Sequence, residues 1–464
     1  MAAQWNVWKA EWAVISWLLP LALLHGLLYL ALVPPWQHYD EPSHFEYAAQ
    51  IAAGEFEAPG PQAVGISHAI AVSMYRHGFY PPGEHPNIEE ARRIRLGYNQ
   101  RVHPPLYYSV AAVPLGFLQD RSVELQLYGA RMVSLVLYAL SVLAAWRIAV
   151  TLLPDEPLMQ LVIPLLLLFT PTFADLMTAV NSDVLVNFAA LVLLLGCARL
   201  LRDGFQPMGL LLALFGLAVA LFTKRTAIPM LVPFGLTLLW AGWRQPLPWR
   251  IWLPTGLSLL AGVSIASFRF ERVEGALRIL PRDWLLEFDR NHLRIYLDRW
   301  LLSVADWELS APIYPEVVRV MFESFWARLA WGHISLGASV DLMARMLTVA
   351  VCIGLLVRGW QLRGQLPLWQ QRSIWLCFAM VCVAWFVTIM HVHPLPPYGQ
   401  WLHIPRGRYM FWAILPHLWL LALGWQGLFP QPWRRWATIG LLLLFVGLSS
   451  FAWSSVLVDF YYLT

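Results

Sequence analysis

Of the chain's 464 residues, 59% are hydrophobic and only 13% charged, well below the roughly 25% of ordinary soluble domains. The net charge of +4 rests mostly on arginines scattered at the ends of apolar runs, which excludes a basic nucleic-acid surface. Cys197, Cys352, Cys377 and Cys382 all lie in apolar segments without a CxxC pair, so they read as small buried hydrophobes and give no metal site.

The first apolar run, 12–33, is too long for a signal-peptide core and ends at Pro34-Pro35 without a small-residue cleavage site, so it reads as a retained helix. Further spans fall near 126–149, 158–178, 184–200, 208–222, 227–242, 251–268, 341–357, 374–390, 409–427 and 436–457. Lipid leaves no water for backbone groups, so helices are the expected form. The run 105–119 is below spanning length and is expected to lie in the interface. With the N-terminus inside, that choice puts Lys9, Arg147, Arg199, Arg202, Arg244, Arg250, Arg358, Arg363, Arg372, Arg434 and Arg435 in the inner loops, as the positive-inside rule expects. The 26 tryptophans fit headgroup belts.

This pattern predicts an all-α polytopic membrane protein with about eleven transmembrane helices (about 10–12) and the C-terminus outside. Residues 1–464 read as one membrane-embedded module with no separate soluble domain. Two long outer loops are expected, 34–125 with interfacial helices and 269–340 with mixed charge, plus a shorter one at 391–408.

Polar motifs gather on that outer side. Asp40-Glu41-Pro42-Ser43-His44 follows the first span, with Pro42 suited to a helix start and the carboxylates at its positive end. It reads either as a cap or as a carboxylate base at the membrane surface, with His44 and Tyr47 on the Asp40 side. His103-Pro104-Pro105-Leu106 reads as a rigid corner, or as a histidine over the Asp40 cavity. In Asn181-Ser182-Asp183, Asp183 is a second cap or site carboxylate. Lys224 and Arg225 lie between spans on the side where cations are disfavoured, which suits an anionic ligand as well as snorkelling. Arg406-Gly407-Arg408-Tyr409 offers a guanidinium fork at the mouth of a late span, or a plain interfacial anchor. His391, His393 and His403 match no tight zinc spacing.

In this order the motifs resemble the GT-C superfamily of membrane glycosyltransferases, near bacterial relatives of protein O-mannosyltransferases and aminoarabinose transferases. The residues that carry the resemblance are Asp40-Glu41, the 103–106 segment, Asn181-x-Asp183, Thr223-Lys224, Ser324-Phe325-Trp326 and Gly407-Arg408-Tyr409. The resemblance implies inverting transfer from a polyprenyl-phosphate sugar to a glycan, lipid or protein acceptor, on the outer face of a bacterial plasma membrane. It makes Asp40 the general base and Glu41 an auxiliary carboxylate. Lys224, Arg225 and Arg408 then hold the lipid phosphate, with His44, His103, Asp183 and Tyr409 at the donor site. A monophosphate leaving group held by cations implies no cofactor; a divalent metal is the less favoured alternative. The C-terminal soluble domain of some relatives is not expected here, so no acceptor specificity carries over. The competing class is a transporter or flippase of lipid-linked saccharides, which would more often show internal repeats and broken mid-membrane helices.

Overall fold

The computed structural model describes residues 2–56, 58–80, 83–88, 94–242, 313–390 and 405–463; for residues 2–10, Arg225 and Ile313 it describes the backbone alone. The expected spans at 251–268, the first part of the 269–340 loop, Arg244, Arg250, His391, His393 and His403 lie outside the described residues.

Helix α1 (Ala2–Leu32) ends where the Pro34-Pro35 pair stops it. Three short helices follow, α2 (Glu41–Ala52), α3 (Gln62–Arg76) and α4 (Leu106–Phe117). Helix α5 (Val123–Leu152) then runs antiparallel to α1. Arg147 pairs with Glu11 at one end (2.5 Å), and Arg131 donates to the carbonyls of Val33 and Pro34 at the other. Midway, His25 links Tyr138 of α5 (2.9 Å) to Ser449 near the C-terminus (2.8 Å), tying three helices by polar contacts that lipid cannot compete for.

Helices α6 (Pro157–Leu168) and α7 (Pro171–Met177) meet at a 63° bend, because Pro171 cannot continue the ladder. The Tyr138 hydroxyl donates to the Leu168 carbonyl freed there (2.7 Å). Helix α8 (Ser182–Asp203) is the central element, and 83% of its most apolar stretch is buried. Helix α9 (Pro207–Thr223) packs along it, followed by a 3-10 turn (Arg225–Met230) and α10 (Leu231–Gly242). After the undescribed stretch come α11 (Ile313–Trp326) and an antiparallel hairpin of β1 (Arg328–Leu329) and β2 (Ile334–Ser335). Helices α12 (Ala338–Gln361), α13 (Leu368–Ile389), α14 (Ile414–Gly427) and α15 (Arg434–Phe451) complete the bundle.

Six helices among the described residues are long and apolar enough to cross a membrane, or seven if the bent α6–α7 pair is one span. The chain is therefore a multi-pass helical membrane protein; the described residues do not confirm the eleven spans expected, and one of those, 251–268, lies outside them. Part of the difference has a local cause. The expected span at 208–222 is helical throughout in the 17-residue α9, which is short for a crossing, while those at 227–242 and 409–427 are cut to 12 and 14 α-helical residues. Pro229 and the 3-10 turn Gly407–Ala413 shorten the last two. The 105–119 run forms only the 12-residue α4, short as expected.

The bundle has two unlike ends. At one, Arg202 donates to the Thr151 carbonyl (3.3 Å), Gln370 to Leu152 (3.4 Å) and Arg372 to Trp240 (2.5 Å), while Arg434 reaches Gln361. At the other, α1 ends, α8 begins, α9 ends and the 3-10 turn leading into α14 begins, and there the polar motifs meet.

Candidate active site

Asp40 and Glu41 are neighbours that point into different surroundings. Asp40 takes a left-handed backbone conformation (φ 51°), which Asp tolerates better than most residues. It stands at the N-cap position of α2, yet its side chain makes no cap bond. Its carboxylate accepts from Arg408 Nη2 instead and keeps 29% of its surface exposed. Glu41 is fully buried: it accepts from Arg131 Nη2 (2.6 Å) and Nε (2.8 Å), from the Trp36 amide (3.1 Å) and from the Val180 amide (3.2 Å). Burial alone would raise the Glu41 carboxyl; Arg131, then His38, reverse that and hold it below its ordinary value. Glu41 thus joins the α1–α2 corner to α5 and to the chain before α8.

Asp183 lies in the first turn of α8, whose cap is Asn181: the Asn181 side chain accepts from the Asp183 amide (2.9 Å). That leaves the Asp183 carboxylate to take Lys224 Nζ at 2.6 Å, with both side chains nearly buried. Lys224 stands 5.9 Å from the Tyr409 ring centre. The Arg408 guanidinium lies 5.4 Å from that ring and 4.3 Å from the ring of Tyr39. Burial acts to lower the Arg408 pKa, but Asp40, Tyr409 and Asp183 together raise it, so its charge is secure. Among the described residues, Arg408 Nε and Nη1 and Asp183 Oδ2 have no hydrogen-bond partner, so a ligand could bind there without displacing other bonds.

His44 pairs with the Tyr108 hydroxyl (2.8 Å) and stacks on its ring. Burial, then Lys224, hold His44 well below its ordinary pKa, so it is neutral; Asp183, His103 and Arg408 also lie near enough to act on it. Five of the expected residues thus fall within one electrostatic neighbourhood. Arg225 opens the turn after Lys224; its side chain lies outside the described residues. The Ser324 hydroxyl accepts from the Gly407 amide (2.8 Å), and a Cβ at Gly407 would run into the Phe325 backbone. Two motifs far apart in sequence are therefore one contact.

Four participants were missed in the sequence: Arg131, Asp175, His38 and Tyr39. His38 Nδ1 is 2.9 Å from Asp175 Oδ1, with both side chains buried. Arg131 and Asp175 had a readable signal, since each is an ionisable residue inside an apolar segment, where charge is costly and usually has a purpose. No group of three His, Cys, Asp or Glu that could hold a metal ion is present among the described residues. Chemically, the site offers a part-exposed carboxylate beside two buried cations, backed by a neutral histidine.

Residues 105–267 match the family model of dolichyl-phosphate-mannose-protein mannosyltransferases. The match contains Tyr108, Arg131, Asp183 and Lys224 and leaves Asp40 and Arg408 outside it. Comparison with curated proteins and with solved structures gives no match.

Proposed function

We infer that this chain is a GT-C-type membrane glycosyltransferase, a reading the family match over residues 105–267 supports, and that it moves a sugar from a polyprenyl-phosphate donor to a hydroxyl or amine acceptor with inversion, using Asp40 as base. The observation that carries this reading is the meeting of Asp40, Asp183, Lys224 and Arg408, from four separate chain segments, at the end of the bundle opposite its arginine-rich end.

The donor phosphate binds Arg408 through its unengaged N–H groups, with Lys224 and the Tyr409 ring alongside. Competition for Arg408 releases Asp40. The acceptor oxygen or nitrogen then bonds to the anomeric carbon as the bond from that carbon to the phosphate oxygen breaks. Asp40 takes the acceptor proton, and the polyprenyl phosphate leaves with the added negative charge, which the buried cations stabilise. Asp183 holds Lys224 in place, and His44, neutral and stacked, shapes the wall with His103. A phosphate diester held by cations asks for no metal and no cofactor. Arg225 is assigned to the same phosphate. Glu41 acts on Asp40 through the backbone that Arg131 anchors. We assign the site to the outer face of a bacterial plasma membrane, because the opposite end carries the arginines that the positive-inside rule puts in the cytoplasm.

A comparison of lipids and glycans from deletion and wild-type cells tests the reading. One glycan, lipid or protein should lose a sugar while a polyprenyl-phosphate sugar accumulates. Accumulation of the same lipid on the cytoplasmic leaflet alone would favour a flippase.

A further inference from the structure

Arg406, two residues before Arg408, is not used by the reaction above. It is half-buried, and among the described residues its side chain makes no hydrogen bond or ion pair. Its neighbours differ: Arg408 is matched by Asp40, Lys224 by Asp183 and Arg131 by Glu41. An unmatched guanidinium partly withdrawn from water asks for an anion.

Tyr39 supplies the second, independent observation. Its side chain is more than nine-tenths buried, and its hydroxyl has no hydrogen-bond partner among the described residues. Burial pushes that hydroxyl up to about 12, against the pull of Arg408 and Arg406, so it remains a donor. The hydroxyl and Arg406 both lie beside Gly332. A Cβ at Gly332 would stand 2.5 Å from Tyr39 Oη and 3.6 Å from Arg406 Cζ, and Gly332 has φ 84°, which favours glycine. Gly332 lies in the turn of the β1–β2 hairpin. The hairpin is pinned by the Trp331 indole donating to the Trp36 carbonyl (3.3 Å) and by the Ala330 amide donating to Asp175 (2.8 Å). The face of the Tyr39 ring carries Arg408 at 4.3 Å, while Arg406 and the Tyr39 hydroxyl both lie beside Gly332.

The geometry points to a second oxyanion subsite, formed by Arg406 and the Tyr39 hydroxyl beside Gly332, that receives a phosphate or carboxylate group next to the Arg408–Lys224 subsite. It rests on the transferase reading only for the source of that anion. A diphosphate donor would bring it as its second phosphate; an acidic acceptor would bring it as its own charged group.

Binding to the full-length protein in nanodiscs separates these cases. The probes are undecaprenyl phosphate, undecaprenyl diphosphate, and inorganic phosphate added to protein saturated with undecaprenyl phosphate. Arg406→Gln should weaken one of the last two by about tenfold and leave undecaprenyl phosphate within about twofold, as loss of one charge-assisted contact requires. Tyr39→Phe should weaken the same probe by about threefold, the smaller effect of a neutral donor. A loss confined to the diphosphate lipid assigns the donor; a loss confined to inorganic phosphate assigns the acceptor. If both variants bind every probe as the wild type does, the subsite is overturned while the donor reading stands. If wild-type protein fails to bind undecaprenyl phosphate, the donor reading falls. The subsite is then decided by inorganic phosphate alone, and equal binding to wild type and Arg406→Gln overturns it.

Discussion

Arg131 donates to both oxygens of Glu41 where neither side chain is exposed. Removing one member of a buried pair typically costs ~3–5 kcal/mol, because the other is left charged and unmatched. Glu41→Gln and Arg131→Met should therefore lower the unfolding midpoint in detergent markedly. Asp40→Asn, at a part-exposed position and with an acceptor oxygen left for Arg408, should lower it less than either. A Glu41→Gln protein as stable as wild type would remove Glu41 from the scaffold and return it to the chemistry. His44 gives a pH test. Its folded pKa lies well below 6.5, chiefly through burial, so below pH 6.5 the unfolded chain binds a proton that the folded chain refuses. Its contribution is intact above pH 6.5 and falls by about 1.4 kcal/mol per pH unit as pH drops toward the folded value. His44→Gln should flatten that slope between about pH 6.5 and pH 5 in thermal unfolding, and an unchanged slope would contradict the assignment.

At the scale of elements, the bundle depends on close helix approach. Gly354 of α12 packs against the α14 backbone at Gly424, and a Cβ there would overlap the Gly424 carbonyl oxygen. Small residues let membrane helices meet in this way. Gly354→Val should lower the unfolding midpoint, with a cost of ~1–3 kcal/mol or more from overpacking; Gly359→Val on the same helix, with open space around it, should not. Helix existence was legible from apolar runs, since each expected span that the structure describes contains helix. Their length was less so. The cap of α8 is Asn181, where the sequence reading offered Asp183, and the carbonyl at the Pro171 break and the 3-10 turn at Gly407 depend on partners elsewhere, the Tyr138 hydroxyl for the first and the Ser324 hydroxyl and Phe325 backbone for the second. For the site, residue types and order pointed to Asp40, Asp183, Lys224 and Arg408. Which carboxylate pairs with which cation did not follow, because Asp40 and Arg408 are far apart in sequence and meet only in the folded bundle.

For the whole molecule, the account assigns the two ends of the bundle to the two sides of a membrane. Single cysteines placed near Asp40, Lys224 and Arg406 should react with an impermeant thiol reagent from outside the cell, and cysteines near Arg363 and Arg434 only after permeabilisation. The reverse pattern would invert the orientation and leave the bundle itself unchanged. The central claim is that Asp40 removes the acceptor proton, and the transfer rate of Asp40→Asn in purified, donor-saturated protein tests it most directly. Asn keeps the shape and an acceptor oxygen but cannot take a proton. The account predicts a fall of about 10²–10⁴-fold in protein that still folds and binds donor; transfer by Asp40→Asn at close to the wild-type rate would contradict it.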